Sequence, residues 1–165
     1  MALCWVFHLV GDMHQPLHSV SQVSKRFPNA DGDRGGGLQY VRDPQTNEPV
    51  TLHWYWDDVV SREGEPDQAV RRAEELMSRL PRARFKELKP FQSALEFSAW
   101  VQESHQLAAT LAYGPDLSAG DSAANATKLS PRYVEQSSAV AEQRLTLASY
   151  RLTEVLRRAF GSTSQ

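Results

Sequence analysis

The chain has 165 residues, 41% hydrophobic and 23% charged, the balance of a globular domain with one core. With 18 basic and 20 acidic residues the net charge is -2. No basic footprint draws nucleic acid by bulk charge, so any affinity for phosphate must come from a local site, where metal ions could supply positive charge. The single cysteine, Cys4, excludes an internal disulfide, and no stretch is long or apolar enough to span a membrane.

Taken in chain order, Ala2 to about Gln15 reads as a mostly apolar, buried helix. Its start has neither a basic flank nor a small-residue cleavage site, so it is expected to be helix rather than signal peptide. Pro16 should end or kink it. Residues 19–37 are polar and glycine-rich, closing on Asp31-Gly-Asp-Arg-Gly-Gly-Gly37, and form a loop. Two short strands, Leu38–Val41 and Val50–Leu52, suit a hairpin around Asp43–Pro49. A short helix is expected from His53 to about Arg62. An amphipathic one follows from Pro66 to Leu80, with Val70, Ala73, Leu76 and Met77 inward. Pro90 opens a longer helix with Leu95, Val101, Ala108 and Leu111 as core positions, stopped by Gly114-Pro115. A small-residue loop, Asp116–Ser130, leads to an N-cap and first-turn proline at Ser130-Pro131. The last helix runs to about Phe160, before Gly161, with Ala141, Leu145, Ala148, Leu152, Val155 and Ala159 on one face. The expected class is a mostly α single domain with one small β-hairpin.

Four of the five histidines fall in the first third of the chain. His8 and Asp12 are four apart, as are His53 and Asp57, and residues so spaced share one face of a helix. Imidazole plus carboxylate is a usual zinc set for a hydrolase, with water in the open position. A kink at Pro16 would let His18 aim at a different ion from the one His8 holds. A single His-x-x-x-Asp pair is commonly a surface ion pair; two pairs with His18 around a glycine-rich loop point towards metal. His14 lies on another face and is expected to support a ligand or a carbonyl. His105 reads as structural. Asn125-Ala126-Thr127 is a glycosylation sequon, Asn125 being its acceptor.

The segments His8-Leu-Val-Gly-Asp12-Met-His14-Gln-Pro-Leu-His18, Gly32-Asp-Arg-Gly-Gly36 and Leu52-His53-Trp-Tyr-Trp-Asp57 resemble, in this order, the nuclease S-one/P-one family, which is related to bacterial zinc phospholipase C. The likeness continues through Trp100-Val-Gln-Glu-Ser104 and the Arg144–Leu152 stretch. It implies a helical phospholipase C/nuclease-like fold and a cleft for three zinc ions. His8 and Asp12 would serve the first ion, with Asp12 bridging to the third and the residue most bound up with catalysis. His18, His53 and Asp57 would form the complete protein set of the second. The implied reaction is zinc-dependent hydrolysis of single-stranded DNA or RNA to 5′-phosphate products, and of 3′-mononucleotides. The implied location is secreted, cell-surface or endolysosomal.

Two positions depart from the family pattern: Gly37 and Thr51 stand where asparagine is usual. The family's N-terminal tryptophan and its first-half histidines and aspartate find no counterpart here. The chain is therefore expected to be a C-terminal portion with one complete zinc site, whose partner is the N-terminal half or a second copy. The alternatives are a phospholipase C-like zinc hydrolase and a non-catalytic helical zinc-binding module.

Overall fold

The computed structural model describes residues 2–60 and 65–161. Five helices carry most of the chain: α1 (Ala2–Asp12), α2 (Leu52–Asp58), α3 (Pro66–Arg79), α4 (Leu95–Leu107) and α5 (Pro131–Phe160). Three short strands, β1 (Tyr40–Arg42), β2 (Pro49–Thr51) and β3 (Thr127–Lys128), form one sheet in the order β2-β1-β3. β1 pairs antiparallel with β2, Val41 opposite Val50, and parallel with β3. The fold is mostly helical with a small sheet, as the sequence implies. No helix among the described residues is long and apolar enough to cross a membrane.

Local chemistry sets several boundaries. α1 stops at Asp12 rather than near Gln15, and single turns carry the chain on, with the His14 amide bonded to the Gly11 carbonyl. Gln15 is already extended (ψ 120°), because the residue before a proline is pushed out of the helical region. α2 ends at Asp58; the expected end at Arg62 lies outside the described residues. α4 begins at Leu95, not Pro90; the Gln92 and Ser93 amides ahead of it donate to the Glu96 carboxylate instead of continuing a helix. α5 starts as expected, with the Ser130 hydroxyl accepting from the Tyr133 amide. β3 interrupts the stretch expected to be pure loop; a two-residue strand paired across some 86 positions leaves no local sequence signal.

α5 is the backbone of the molecule. One end packs on the sheet and α2. Leu17, Val41, Leu52, Tyr55, Trp56, Ala112, Tyr133 and Ala141 form this buried core. Tyr133 donates to the Ala112 carbonyl at 2.9 Å and accepts from the Trp56 indole at 3.0 Å, while Tyr55 and Ser137 share a 2.7 Å hydrogen bond. The other end packs on α1 and α4 through Val10, Trp100 and Val155.

α1 is not buried, contrary to expectation. Only Val10 is, while Leu3, Trp5, Phe7 and Leu9 are about half exposed. One face meets α4 and α5, and no described residue covers the other. α3 likewise buries Leu76 but exposes Val70 and Met77. Ion pairs join it to α5 instead: Arg72 and Arg79 both reach Glu142 at 2.6 and 2.8 Å. Leu95, expected in the core, is 81% exposed, and Leu145 is also exposed. The α5 stripe shifts because Arg144, Arg151 and Glu154 take buried positions.

Candidate metal centre

His8 and Asp12 end α1 on one face, with His8 Nε2 3.9 Å from an Asp12 carboxylate oxygen. Past Pro16 the chain makes one tight turn, Pro16–Ser19, which carries His18 back over Asp12. His18 Nδ1 lies 2.9 Å from Asp12 and its Nε2 lies 3.0 Å from Asp57, so the ring spans two carboxylates from different helices.

α2 supplies His53 and Asp57 from one face while Tyr55 and Trp56 anchor the opposite side in the core. Burying two aromatics so well, at about 3–5 kcal/mol each if truncated to alanine, holds the helix in rotation as well as position. Thr51 caps it, its hydroxyl accepting from the Trp54 amide at 3.1 Å. Threonine thereby fills the cap role open to asparagine at that position.

The glycine-rich loop is a cradle for His53. His53 Nδ1 donates to the Gly35 carbonyl at 2.9 Å, which leaves Nε2 as the acceptor nitrogen, 3.5 Å from Asp57. A Cβ on Gly35, where φ is +62°, would lie 2.6 Å from the Leu17 carbonyl oxygen and 3.3 Å from His53 Nδ1. Only glycine lets the loop approach that closely. The loop is anchored from below by Asp33, fully buried, whose carboxylate accepts from the Gln22 amide, the Gln39 side chain and the Tyr113 hydroxyl.

His18, His53 and Asp57 each offer a ligand atom, and these atoms lie within 4.8 Å of one another, close enough to hold one metal ion. The donor chemistry fits zinc: two imidazoles, which bind metal once deprotonated, and a carboxylate. The cleft in front is open, about 440 Å³, and is lined by Asp12, His18, Ser21, Arg34, Gly35 and His53. The Asp57 hydrogen bond, and then Asp12, raise the His18 pKa above its usual value despite partial burial. Burial pushes Asp57 up, but hydrogen bonds from His18 and Gln15 outweigh it and leave Asp57 below its ordinary value.

Gln15 escaped the sequence reading. Its amide nitrogen donates to Asp57 at 2.9 Å while its oxygen accepts from the Leu17 amide, so one side chain both shapes the His18 turn and orients Asp57. A glutamine just before a proline offers no signal of this; the partner is 42 residues away.

His14 is buried beneath the site. Its Nδ1 donates to the Val10 carbonyl at 2.7 Å, and its Nε2 accepts from Arg151 at 2.9 Å. Burial first, then the Arg144 charge, lower its pKa to about 3, so it is a neutral strut. Arg151 and Arg144 both bind Glu103, and Arg144 also donates to the His14 carbonyl at 3.3 Å. This network joins α5 and α4 to the end of α1. His105 lies apart, its ring 3.4 Å from the Ser19 carbonyl oxygen. Asn125 is exposed in a turn, donating to Asp121.

Fold and site together define a helical protein whose clustered imidazoles and carboxylate can hold a metal ion beside an open cleft. The chain belongs to the S1/P1 nuclease family, whose model matches residues 1–161. The family is one of nucleases, which act on nucleic acid as hydrolases. No curated protein and no solved structure matches the chain.

Proposed function

We propose that this chain carries part of the active site of a zinc-dependent nuclease acting on single-stranded DNA or RNA and on 3′-mononucleotides. The observation that supports it most is the convergence of His18, His53 and Asp57, the two histidines lining an open cleft, in a nuclease-family chain. Zinc bound there would neutralise phosphoryl charge and lower the pKa of a coordinated water towards neutrality. His53 would present Nε2, its tautomer set by the Gly35 carbonyl, and Asp57 a carboxylate oriented by Gln15. His8 and Asp12 would serve a neighbouring ion, and the remaining donors of a three-zinc cluster would come from residues beyond those described. The exposed apolar face of α1, beside His8 and Asp12, suits a surface on which they dock, from an N-terminal half or a second copy. We read the protein as secreted, cell-surface or endolysosomal, with the exposed Asn125 as a glycan acceptor.

The test is zinc content of the purified chain and of His53→Ala, with hydrolysis of single-stranded DNA and 3′-AMP measured in parallel. One zinc per chain, lost in the variant, together with hydrolysis once the remaining donors are supplied, is the expected result. A chain that takes up no zinc near neutral pH refutes the metal assignment. Zinc without hydrolysis, even with the cluster complete, would mark a non-catalytic zinc module. Hydrolysis of a phospholipid but not of nucleotides would mark a phospholipase.

A further inference from the structure

The cleft contains a cation that the metal reading leaves without a role. Arg34 lines it together with His18 and His53, and its guanidinium has no hydrogen bond or ion pair with any described residue. Arg72 of α3 and Arg144 of α5, which share pocket linings with Asp57, are committed to carboxylates, Arg72 to Glu142 and Arg144 to Glu103. The carboxylates flanking the cleft are themselves committed to His18.

The backbone under Arg34 is unusual. Its φ is +57°, a left-handed conformation uncommon for a residue with a long side chain and typical of functional sites where the surroundings over-determine it. Those surroundings are present. The Arg34 amide is held by the Asp31 carbonyl at 3.2 Å and the Ser21 hydroxyl at 3.0 Å. The preceding Asp33 is fully buried, its carboxylate accepting from Ser21, Gln22, Gln39 and Tyr113. The following Gly35 is pressed against the Leu17 carbonyl. The loop that orients His53 therefore also presents Arg34 from a fixed base.

We propose that Arg34 is a phosphate-binding residue, its guanidinium taking the non-bridging oxygens of a phosphate held beside the His18, His53 and Asp57 set. Guanidinium is the side chain whose planar fork matches two phosphate oxygens at once. The inference rests on the metal-dependent phosphate reading above and adds the residue that gives the substrate's charge a second point of attachment.

The experiment compares wild type, Arg34→Asn and Arg34→Lys, all loaded with zinc. Asparagine tolerates the left-handed conformation, which guards against a misfolded loop. Zinc affinity is measured first, then binding of inorganic phosphate and of 3′-AMP by titration calorimetry. Zinc affinity should stay within about 2-fold, while both phosphate ligands weaken by about 10- to 100-fold in Arg34→Asn, the range for losing a charge-assisted hydrogen bond. Arg34→Lys should fall between, because lysine keeps the charge without the fork. Unchanged phosphate binding in Arg34→Asn with zinc in place overturns the proposal alone. Loss of zinc in that variant also overturns it, since Arg34 would then be part of the scaffold. If 3′-AMP weakens and inorganic phosphate does not, the side chain reads the nucleoside instead and the proposal fails. A wild-type chain that binds no zinc brings down the metal reading and this inference together.

Discussion

The ring of His18 stacks on that of His53, centroids 5.0 Å apart and planes inclined by 13°. Neither residue is near the other in sequence, and neither is held by the other's helix. His18 is carried by the turn after Pro16, His53 by α2, and the glycine loop passes against both Leu17 and His53. The geometry of the site is thus the geometry of that loop.

Replacing Gly35 with alanine should therefore damage metal binding without removing a donor. The added Cβ meets the Leu17 carbonyl at 2.6 Å at a backbone φ of +62°, so the loop must shift and the Gly35 carbonyl with it. Zinc affinity should fall by about 10- to 100-fold, the usual cost of losing a residue that orients a ligand. Calorimetric titration of zinc into the folded variant checks this. Wild-type affinity would show that His53 needs no support from the loop.

His14 and His18, four residues apart, should titrate in opposite senses in the metal-free protein. Burial lowers the His14 pKa to about 3, so its contribution to stability is full above about pH 6.5 and is lost as pH falls towards 3. The slope approaches about 1.4 kcal/mol per pH unit. His18, held up chiefly by Asp57, contributes fully below about pH 6.5 and loses its contribution as pH rises through its higher folded value. Proton NMR of the ring protons should find His14 still neutral at about pH 5 and His18 half-protonated above about pH 6.5. Protons compete with metal at His18, so zinc affinity should decline below that same point. If both rings titrate together near the ordinary value, the burial and pairing described for them are wrong.

Asp12→Asn should cost more metal and more rate than His14→Ala in protein with the whole cluster present. Asp12 faces both His8 and His18. As a carboxylate between two cations it would offset their mutual repulsion, which the amide cannot do. His14 touches a carbonyl and an arginine but no donor of the cleft, so its loss should act through the position of the α1 end and cost less. Zinc content and 3′-AMP hydrolysis of the two variants decide it; the reverse order would exchange the two roles.

Arg151→Leu should destabilise the chain by about 2 kcal/mol, below the 3–5 kcal/mol typical when one partner of a fully buried pair is removed. Glu103 keeps Arg144 and a side chain 36% exposed to water, which screens the loss. His14 Nε2 would also lose its donor. Denaturant unfolding at neutral pH measures the change. A cost under about 0.5 kcal/mol would place this arginine with ordinary surface pairs.

Much of the helical order was legible locally. Pro66, Ser130-Pro131 and Gly161 mark helix ends that the structure also marks, because caps and prolines act within a few residues. The His-x-x-x-Asp spacings announced which side chains share a helical face, since helical period alone decides that. The failures lie where neighbours decide. Apolar α1 was expected to be buried and is half exposed, because burial depends on what covers a face and hydrophobicity only makes covering favourable. The α5 stripe was misjudged at Leu145, since Arg144 and Arg151 find Glu103 and the end of α1 across the interior.

By itself the sequence determined the helical class, the helix ends set by local caps, the candidate donors and, through three ordered motifs, the family. Only the tertiary structure decided that His18 would lie between Asp12 and Asp57, that Gln15 would orient Asp57, and that a buried Asp33 would hold the loop bearing Arg34. The physical reason is range. Caps and helical faces are settled by contacts within a turn or two of chain, whereas the cleft and the loop beside it are built from pairs 6 to 80 residues apart, whose meeting depends on how the helices pack.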